Sequence, residues 1–431
     1  MPLHRKRGKA LGVPELVAIA LGGMVGGGIF SILGISVGLI GAFTPVAIIV
    51  GGIIAAFAAY SYVKLGVYYK DEGATYSFYK KTFPKTPFAA SLIGWWVIFG
   101  YISTLALYAY TFASYGISSF AFANDVWARK LVAGGIIGVF TLINVWSVKG
   151  MGRVEDLMVY TKLVILVLIS VVLMVNGRTP LPQLLQESPN VTLFGILIAA
   201  SITFVAYEGF QLVINAVNEM DNPERKIPIA IYTAIFLAIM IYVVIALGAI
   251  LAIPLQDIIN NKEYALAAGA EDVLGSLGGT LVIVGALLAT SSAISGTLFG
   301  SSRQMAVIAE DGYLPDRLAR RKNRIPVIAI LTMSGFAFAL VLIGSLQVIL
   351  EFGSFTFLLV SLLMAYANFK IRHLTKSSPF VTMTALAALL VGTLFILYHL
   401  AVTAIEQLYF IAGLYALLTL GAWLYAKGKK K

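Results

Sequence analysis

Lys162 falls inside the hydrophobic segment Val154 to Val175, nine residues from its start. At 1.5 Å per residue of helix this is roughly 12 to 14 Å of depth. In a helix crossing a ~30 Å hydrocarbon layer, that is close to the midplane. Its helical neighbours at three and four residues, Met158, Val159, Ile165 and Leu166, are all apolar. Snorkelling is the plain structural alternative, but the side chain is too short to reach an interface from such a depth. An ammonium kept from water gives up its proton more readily, so a lysine placed here suits proton carriage.

The segment Val13 to Leu39 contains Gly22-Gly23-Met24-Val25-Gly26-Gly27-Gly28-Ile29-Phe30, five glycines within seven residues. A continuous helix gains nothing from them, since each costs about 1 kcal/mol relative to alanine. A small-residue packing face containing Gly22 and Gly26 would explain part of the run. Three consecutive glycines exceed what one face needs, and an unwound stretch lining a cavity accounts for them better. A second interruption lies about 180 residues on, in the segment Val191 to Ala216, where Phe204-Val205-Ala206-Tyr207-Glu208-Gly209-Phe210 sets a carboxylate and a glycine in an apolar helix.

Paired interruptions of this kind imply a chemistry. Free amides opening the half-helix after Gly26 and Gly27 suit an anionic group such as a carboxylate. Carbonyls released at the ends of the preceding half-helices suit an ammonium, so a zwitterionic amino acid satisfies both. Glu208 is open to three roles: capping amides freed at its break, carrying a second proton, or offering charge to a cationic substrate.

The elements that must position these groups are membrane helices. Of 431 residues, 59% are hydrophobic and 12% charged, with a mean hydropathy of +0.91. Soluble domains carry roughly a quarter charged residues. Twelve segments, from Val13 to Leu39 through to Ile405 to Tyr425, are long and apolar enough to span. With the N-terminus inside, 26 of the 31 Lys and Arg residues fall on the cytoplasmic side, including Arg5, Lys6, Arg7 and Lys9 in the tail. Arg129, Lys130, Arg178 and Lys262 fall outside, and Lys162 within a span. This bias places both termini in the cytoplasm and requires an even span count. The basic start followed by an apolar run is too long for a signal peptide and is read as a retained first helix.

The interruptions fall in spans one and six, the pointer to an inverted-repeat transporter with its site near the midplane. The chain then divides into a first five-helix repeat (1–178), a second, inverted one (179–373), and two peripheral helices with a basic tail (374–431). The peripheral hairpin is a candidate contact between copies of the chain.

Three histidines (His4, His373 and His399) and no cysteine remove thiolate chemistry, disulfides and most histidine-based catalysis. No HExxH motif, Ser/His pair or carboxylate cluster points to an enzyme, and neither a metal nor an organic cofactor is expected. A channel would want a continuous polar lining or a repeated filter. A nucleic-acid partner is not expected, because the basic residues are dispersed over loops. Arg303, Glu351 and His399 read as interfacial or solvated, and Trp95-Trp96 as part of an interface belt.

These residues resemble the amino acid, polyamine and organocation transporter superfamily, essentially over the whole chain through span ten. The resemblance rests on Gly26-Gly27-Gly28-Ile29-Phe30, on Tyr207-Glu208-Gly209-Phe210, and on the run Asn218-Glu219-Met220-Asp221-Asn222-Pro223-Glu224-Arg225-Lys226-Ile227-Pro228. Glu310-Asp311-Gly312-Tyr313-Leu314-Pro315 is a fourth element. Locally, Asn222-Pro223 also reads as a turn and Pro228 as a first-turn proline of span seven.

The resemblance implies an all-α integral membrane protein with the LeuT-type fold, a 5+5 inverted repeat plus two peripheral helices. It implies that amides of Gly26, Gly27 and Gly28 hold the substrate carboxylate and that carbonyls around Met24, Val205 and Glu208 hold its amine. Tyr207 would be an aromatic lid, with Tyr101 or Thr104 and Ser295 or Thr297 lining the pocket. Several relatives carry serine where Gly27 stands, so a hydroxyl contact is missing here. The lining is small or apolar, which points to small or medium neutral amino acids. In proton-coupled, ApcT-like members a lysine occupies the place of Lys162, its ammonium standing where sodium-coupled relatives hold their ion. Its partners here would be the Gly22 carbonyl and Ser291 or Ser292. The expected function is proton-coupled symport of amino acids by alternating access in the cell membrane, the proton being the coupling ion. Exchange of amino acids or polyamines is the alternative.

Overall fold

The computed structural model describes residues 11–146, 151–177, 179–186, 191–261, 264–322 and 325–428, apart from the side chains of 151–157 and 428. Of the basic residues used to orient the chain, Arg5, Lys6, Arg7, Lys9, Lys149, Arg178, Lys262, Arg324 and Lys429 to Lys431 lie outside the described residues, as does the side chain of Arg153.

The described elements are helical. In chain order they are α1 (Val13–Met24), α2 (Gly27–Ile40), α3 (Thr44–Tyr69), α4 (Ala74–Thr82), α5 (Pro87–Gly116), α6 (Val126–Trp146), α7 (Met151–Val175), α8 (Leu181–Gln186) and α9 (Leu193–Ile202). There follow α10 (Leu212–Asn215), α11 (Pro223–Ala252), α12 (Leu255–Asn260), α13 (Ala265–Glu310), α14 (Val327–Ile343), α15 (Leu346–Lys370), α16 (Pro379–Thr403) and α17 (Ile405–Gly428). The backbone of α13 turns at Gly275, whose φ of 70° lies in the region that favours glycine.

Among the described residues ten helical stretches are long and apolar enough to cross a membrane, where the sequence predicts twelve spans. The difference is local. Val13–Met24 and Val327–Ile343 are shorter apolar helices, and α2 runs into α3 as one stretch, Gly27–Tyr69. Large apolar side chains such as Leu142, Val164, Leu277 and Phe380 stand exposed, the surface that lipid requires.

Two packing relations position the site. Helix α7 lies against α13, α11 and α1, which brings Lys162 to the interrupted first helix. Helix α5 packs against α13, α15 and α2, so its inward face looks onto both interruptions.

Three expectations change in the fold. Glu351 is fully buried rather than interfacial: Gln347 Nε2 donates to its Oε1 at 2.8 Å, and His399 Nε2, itself buried, lies 3.8 Å away. Trp95 and Trp96 are partly buried against Tyr425 and Tyr415 of α17, at ring separations of 5.8 and 5.2 Å, because the last helix covers α5. Pro228 sits inside α11 rather than in its first turn, since that helix already starts at Pro223.

Candidate functional site

The first interruption is short. Helix α1 ends at Met24, Gly26 takes a non-helical conformation (φ −113°, ψ −139°), and α2 restarts at Gly27. The second is longer: α9 gives way to a 3-10 turn over Thr203–Tyr207, Glu208 is extended, and Gly209 adopts a φ of +133° before α10. The two breaks touch backbone to backbone. A Cβ on Gly209 would lie 2.6 Å from the Gly23 carbonyl carbon, and one on Gly28 would lie 3.0 Å from Ala206 Cα. Tyr242 of α11 joins them, its hydroxyl lying 2.6 Å from Met24 O and 2.8 Å from Ala206 O, so that the two carbonyls share its one proton. The glycines are therefore needed for close approach as well as for unwinding.

Beside the breaks is a narrow cleft lined by Gly23, Tyr101, Thr104, Tyr108, Glu208, Gly209, Leu212, Thr297 and Phe357. Its polar centre is a short network. Gln211 Nε2 donates to Glu208 Oε2 at 2.7 Å and to the Tyr101 hydroxyl at 3.2 Å, while Gly209 N donates to Gln211 Oε1 at 3.1 Å. Glu208 Oε1 has no hydrogen-bond partner among the described residues. Burying a carboxylate is costly unless its oxygens are satisfied, so this cluster leaves a demand unmet.

Lys162 is fully buried, and its ammonium donates to Ser292 Oγ at 2.8 Å and to Gly22 O at 3.2 Å. Of the two serines expected, Ser292 makes this contact, and Ser291 stands half-buried next to it. One charge thus ties α7 to α13 and α1.

Of the other predicted residues, the cleft brings together Tyr101, Thr104, Glu208 and Thr297. Ser295 is buried on α13 but is not part of this lining. Gly26, Gly27 and Gly28 lie at the start of α2 beside the cleft rather than on its walls. The Gly26 amide already donates to Met24 O at 2.8 Å, and Val205 O accepts from Glu208 N at 3.1 Å. Tyr207, expected as a lid, turns away: its hydroxyl donates to Ile48 O in α3 at 2.6 Å, and its ring packs 5.4 Å from that of Tyr242. The serine missing at Gly27 has a steric reason, since a Cβ there would lie 3.0 Å from Tyr108 Cδ1 and 3.1 Å from Thr111 Oγ1.

Tyr108, Gln211, Tyr242 and Phe357 were not predicted. Gln211 had a signal, its spacing of three residues from Glu208 on a helical segment. The two tyrosines and the phenylalanine had none, because an aromatic residue in an apolar span reads alike whether it faces core or interface.

A family model described as amino acid permease matches residues 11–422. The chain is similar to an uncharacterized protein of Methanocaldococcus jannaschii, 32% identical over 319 residues covering 73% of this chain and 72% of that one. It is also similar to the inner membrane transport protein YbaT of Escherichia coli, 31% identical over 397 residues, 90% of this chain and 88% of the other. The serine/threonine exchanger SteT of Bacillus subtilis is 26% identical over 416 residues, 92% of each chain.

Proposed function

The chain belongs to the amino acid permease family, and on that premise we propose that it is a proton-coupled amino acid symporter working by alternating access. Membership implies the LeuT-type fold, in keeping with the two interrupted helices. The observation that carries the reading is the buried Lys162 ammonium between Gly22 O and Ser292 Oγ. Charge-assisted hydrogen bonds are roughly twice as strong as neutral ones, so loss of the proton weakens the tie of α7 to α1 and α13. Proton release is thereby linked to a movement of helices around the site.

In this reading the amides of Gly27 and Gly28, at the start of α2, receive the substrate carboxylate. The cleft at Tyr101, Thr104 and Thr297 receives the rest of the molecule, and the small, largely apolar lining favours a small or medium amino acid. A bundle of helices rocks against a scaffold about this central site, with both termini in the cytoplasm and the chain in the cell membrane. Exchange is the second reading, favoured by the similarity to SteT, whose name records an exchanger.

Uptake of labelled amino acids into proteoliposomes separates the two, with the pH gradient, the sodium gradient and the internal amino acid each varied alone. Concentrative uptake into empty vesicles under an inward proton gradient is the expected result. Uptake only against an internal amino acid would make the protein an exchanger and Lys162 a structural brace.

A further inference from the structure

We propose that the side-chain carboxylate of Glu208 is the counter-ion for an alkylammonium group of the substrate. The proposal rests on the amino acid transport reading above and names what that site recognises.

The carboxylate is oriented with one oxygen to spare. Gln211 spends both amide protons, on Glu208 Oε2 and on the Tyr101 hydroxyl, and its own carbonyl oxygen is fixed by the Gly209 amide. The Glu208 side chain therefore has a set position, at 3% exposure, with Oε1 unpartnered. A buried acceptor of this kind is destabilising until a donor arrives.

The cleft offers no cation of its own. Apart from Glu208 its walls are glycines, the hydroxyls of tyrosine and threonine, Leu212 and Phe357. The group that completes the site must come from outside and donate a hydrogen bond, and a positive charge on it would also balance the carboxylate.

The main-chain carbonyls that interrupted helices usually leave for an ammonium are engaged here. Met24 O accepts from the Gly26 amide and shares the Tyr242 hydroxyl proton with Ala206 O, Gly23 O accepts from the Tyr108 hydroxyl at 3.1 Å, and Val205 O from the Glu208 amide. Oε1 of Glu208 is the acceptor that none of these groups uses. An α-ammonium and a lysine-like side-chain ammonium present the same chemistry to it, and the arms of the test tell them apart.

The test measures binding of L-alanine, L-leucine, L-lysine and propionate to the purified full-length protein, as wild type, Glu208→Gln and Glu208→Asp, with melting temperature as the check on folding. Glu208→Gln is expected to weaken L-lysine at least ten-fold, Glu208→Asp to recover part of that loss, and propionate to bind none of the three. Equal weakening of alanine and leucine identifies the α-ammonium; unchanged alanine and leucine identify the side-chain ammonium. A variant-free arm follows carbodiimide labelling of Glu208 in the wild type by peptide mass spectrometry, which the amino acids slow and propionate does not. Wild-type affinity for every ligand in a folded Glu208→Gln protein overturns the proposal. So does a defect confined to the pH dependence of uptake, which would make Glu208 a proton carrier, and so does equal protection by propionate. A wild-type protein that binds no amino acid refutes the transport reading instead, a result visible before any variant is compared.

Discussion

Lys162 and Ser292 are joined across α7 and α13 by a 2.8 Å hydrogen bond, and the same ammonium reaches the Gly22 carbonyl in α1 at 3.2 Å. Three helices distant in sequence meet at one titratable charge with no exposed surface. A coupling ion bound at that junction would act on the same three elements, which is why the proposed symport assigns the proton to this lysine.

Lys162→Ala removes the charge and its bonds. The expected outcome is at least a ten-fold loss of uptake driven by an inward proton gradient, with exchange of internal for external substrate less affected. Proteoliposome flux with and without the gradient checks it. Accumulation equal to wild type under the gradient would remove Lys162 from coupling.

Tyr242→Phe deletes the hydroxyl that joins Met24 O to Ala206 O. Two buried carbonyls then lose the one proton they share, at a cost of about 1 to 3 kcal/mol. The melting temperature should fall, and amide hydrogen exchange should rise at both breaks, around residues 24–27 and 205–209. Faster exchange confined to α11 would show that the hydroxyl does not hold the breaks together.

Gly209→Ala combines a φ of +133° with a Cβ that would sit 2.6 Å from the Gly23 carbonyl carbon. Backbone atoms cannot swing aside as a side chain can, so the breaks must separate. Backbone strain alone costs about 1 to 3 kcal/mol, and the clash adds to it, so loss of folded protein or of transport is expected. Gly38→Ala is the matched control, because a Cβ there meets nothing within 4 Å. Gly38 lies within α2, so the change should leave the protein as stable as wild type or more so by up to about 1 kcal/mol.

Asp71, between α3 and α4 and outside the spans, reports on pH. Partial burial pushes its carboxyl up, but hydrogen bonds from the Lys81 ammonium and the Gly73 amide outweigh that and hold it below the usual aspartate range. A depressed value means that the contribution is complete above the unfolded range, about pH 4, and is lost as pH falls through the folded value. The pair is partly solvent-exposed, so Asp71→Asn should cost under about 1 kcal/mol at neutral pH. That difference should vanish in strong acid, which melting curves of both proteins across pH would register.

Much of this site is legible in the chain itself because hydrocarbon makes certain residues costly. A lysine nine residues into a span and a glycine run in the first helix stand out against their surroundings. Depth follows from counting residues along a helix, and so Lys162, Glu208 and both interruptions can be placed near the midplane from sequence. What sequence leaves open is azimuth, the direction in which each helix points its side chains once it is packed. Ser291 and Ser292 are equally good acceptors on paper, and the rotation of α13 against α7 brings Ser292 to the lysine. Tyr207 stands in the motif that suggests a lid, yet its contact with Ile48 turns it toward α3. Tyr108 and Tyr242 look like any tyrosines of an apolar span until packing aims their hydroxyls at Gly23 and Met24. The sequence by itself determined which groups lie at which depth, since that depends on local spacing and transfer cost. Only the tertiary structure decided which of them meet, since that depends on helix rotations set by packing between segments more than a hundred residues apart.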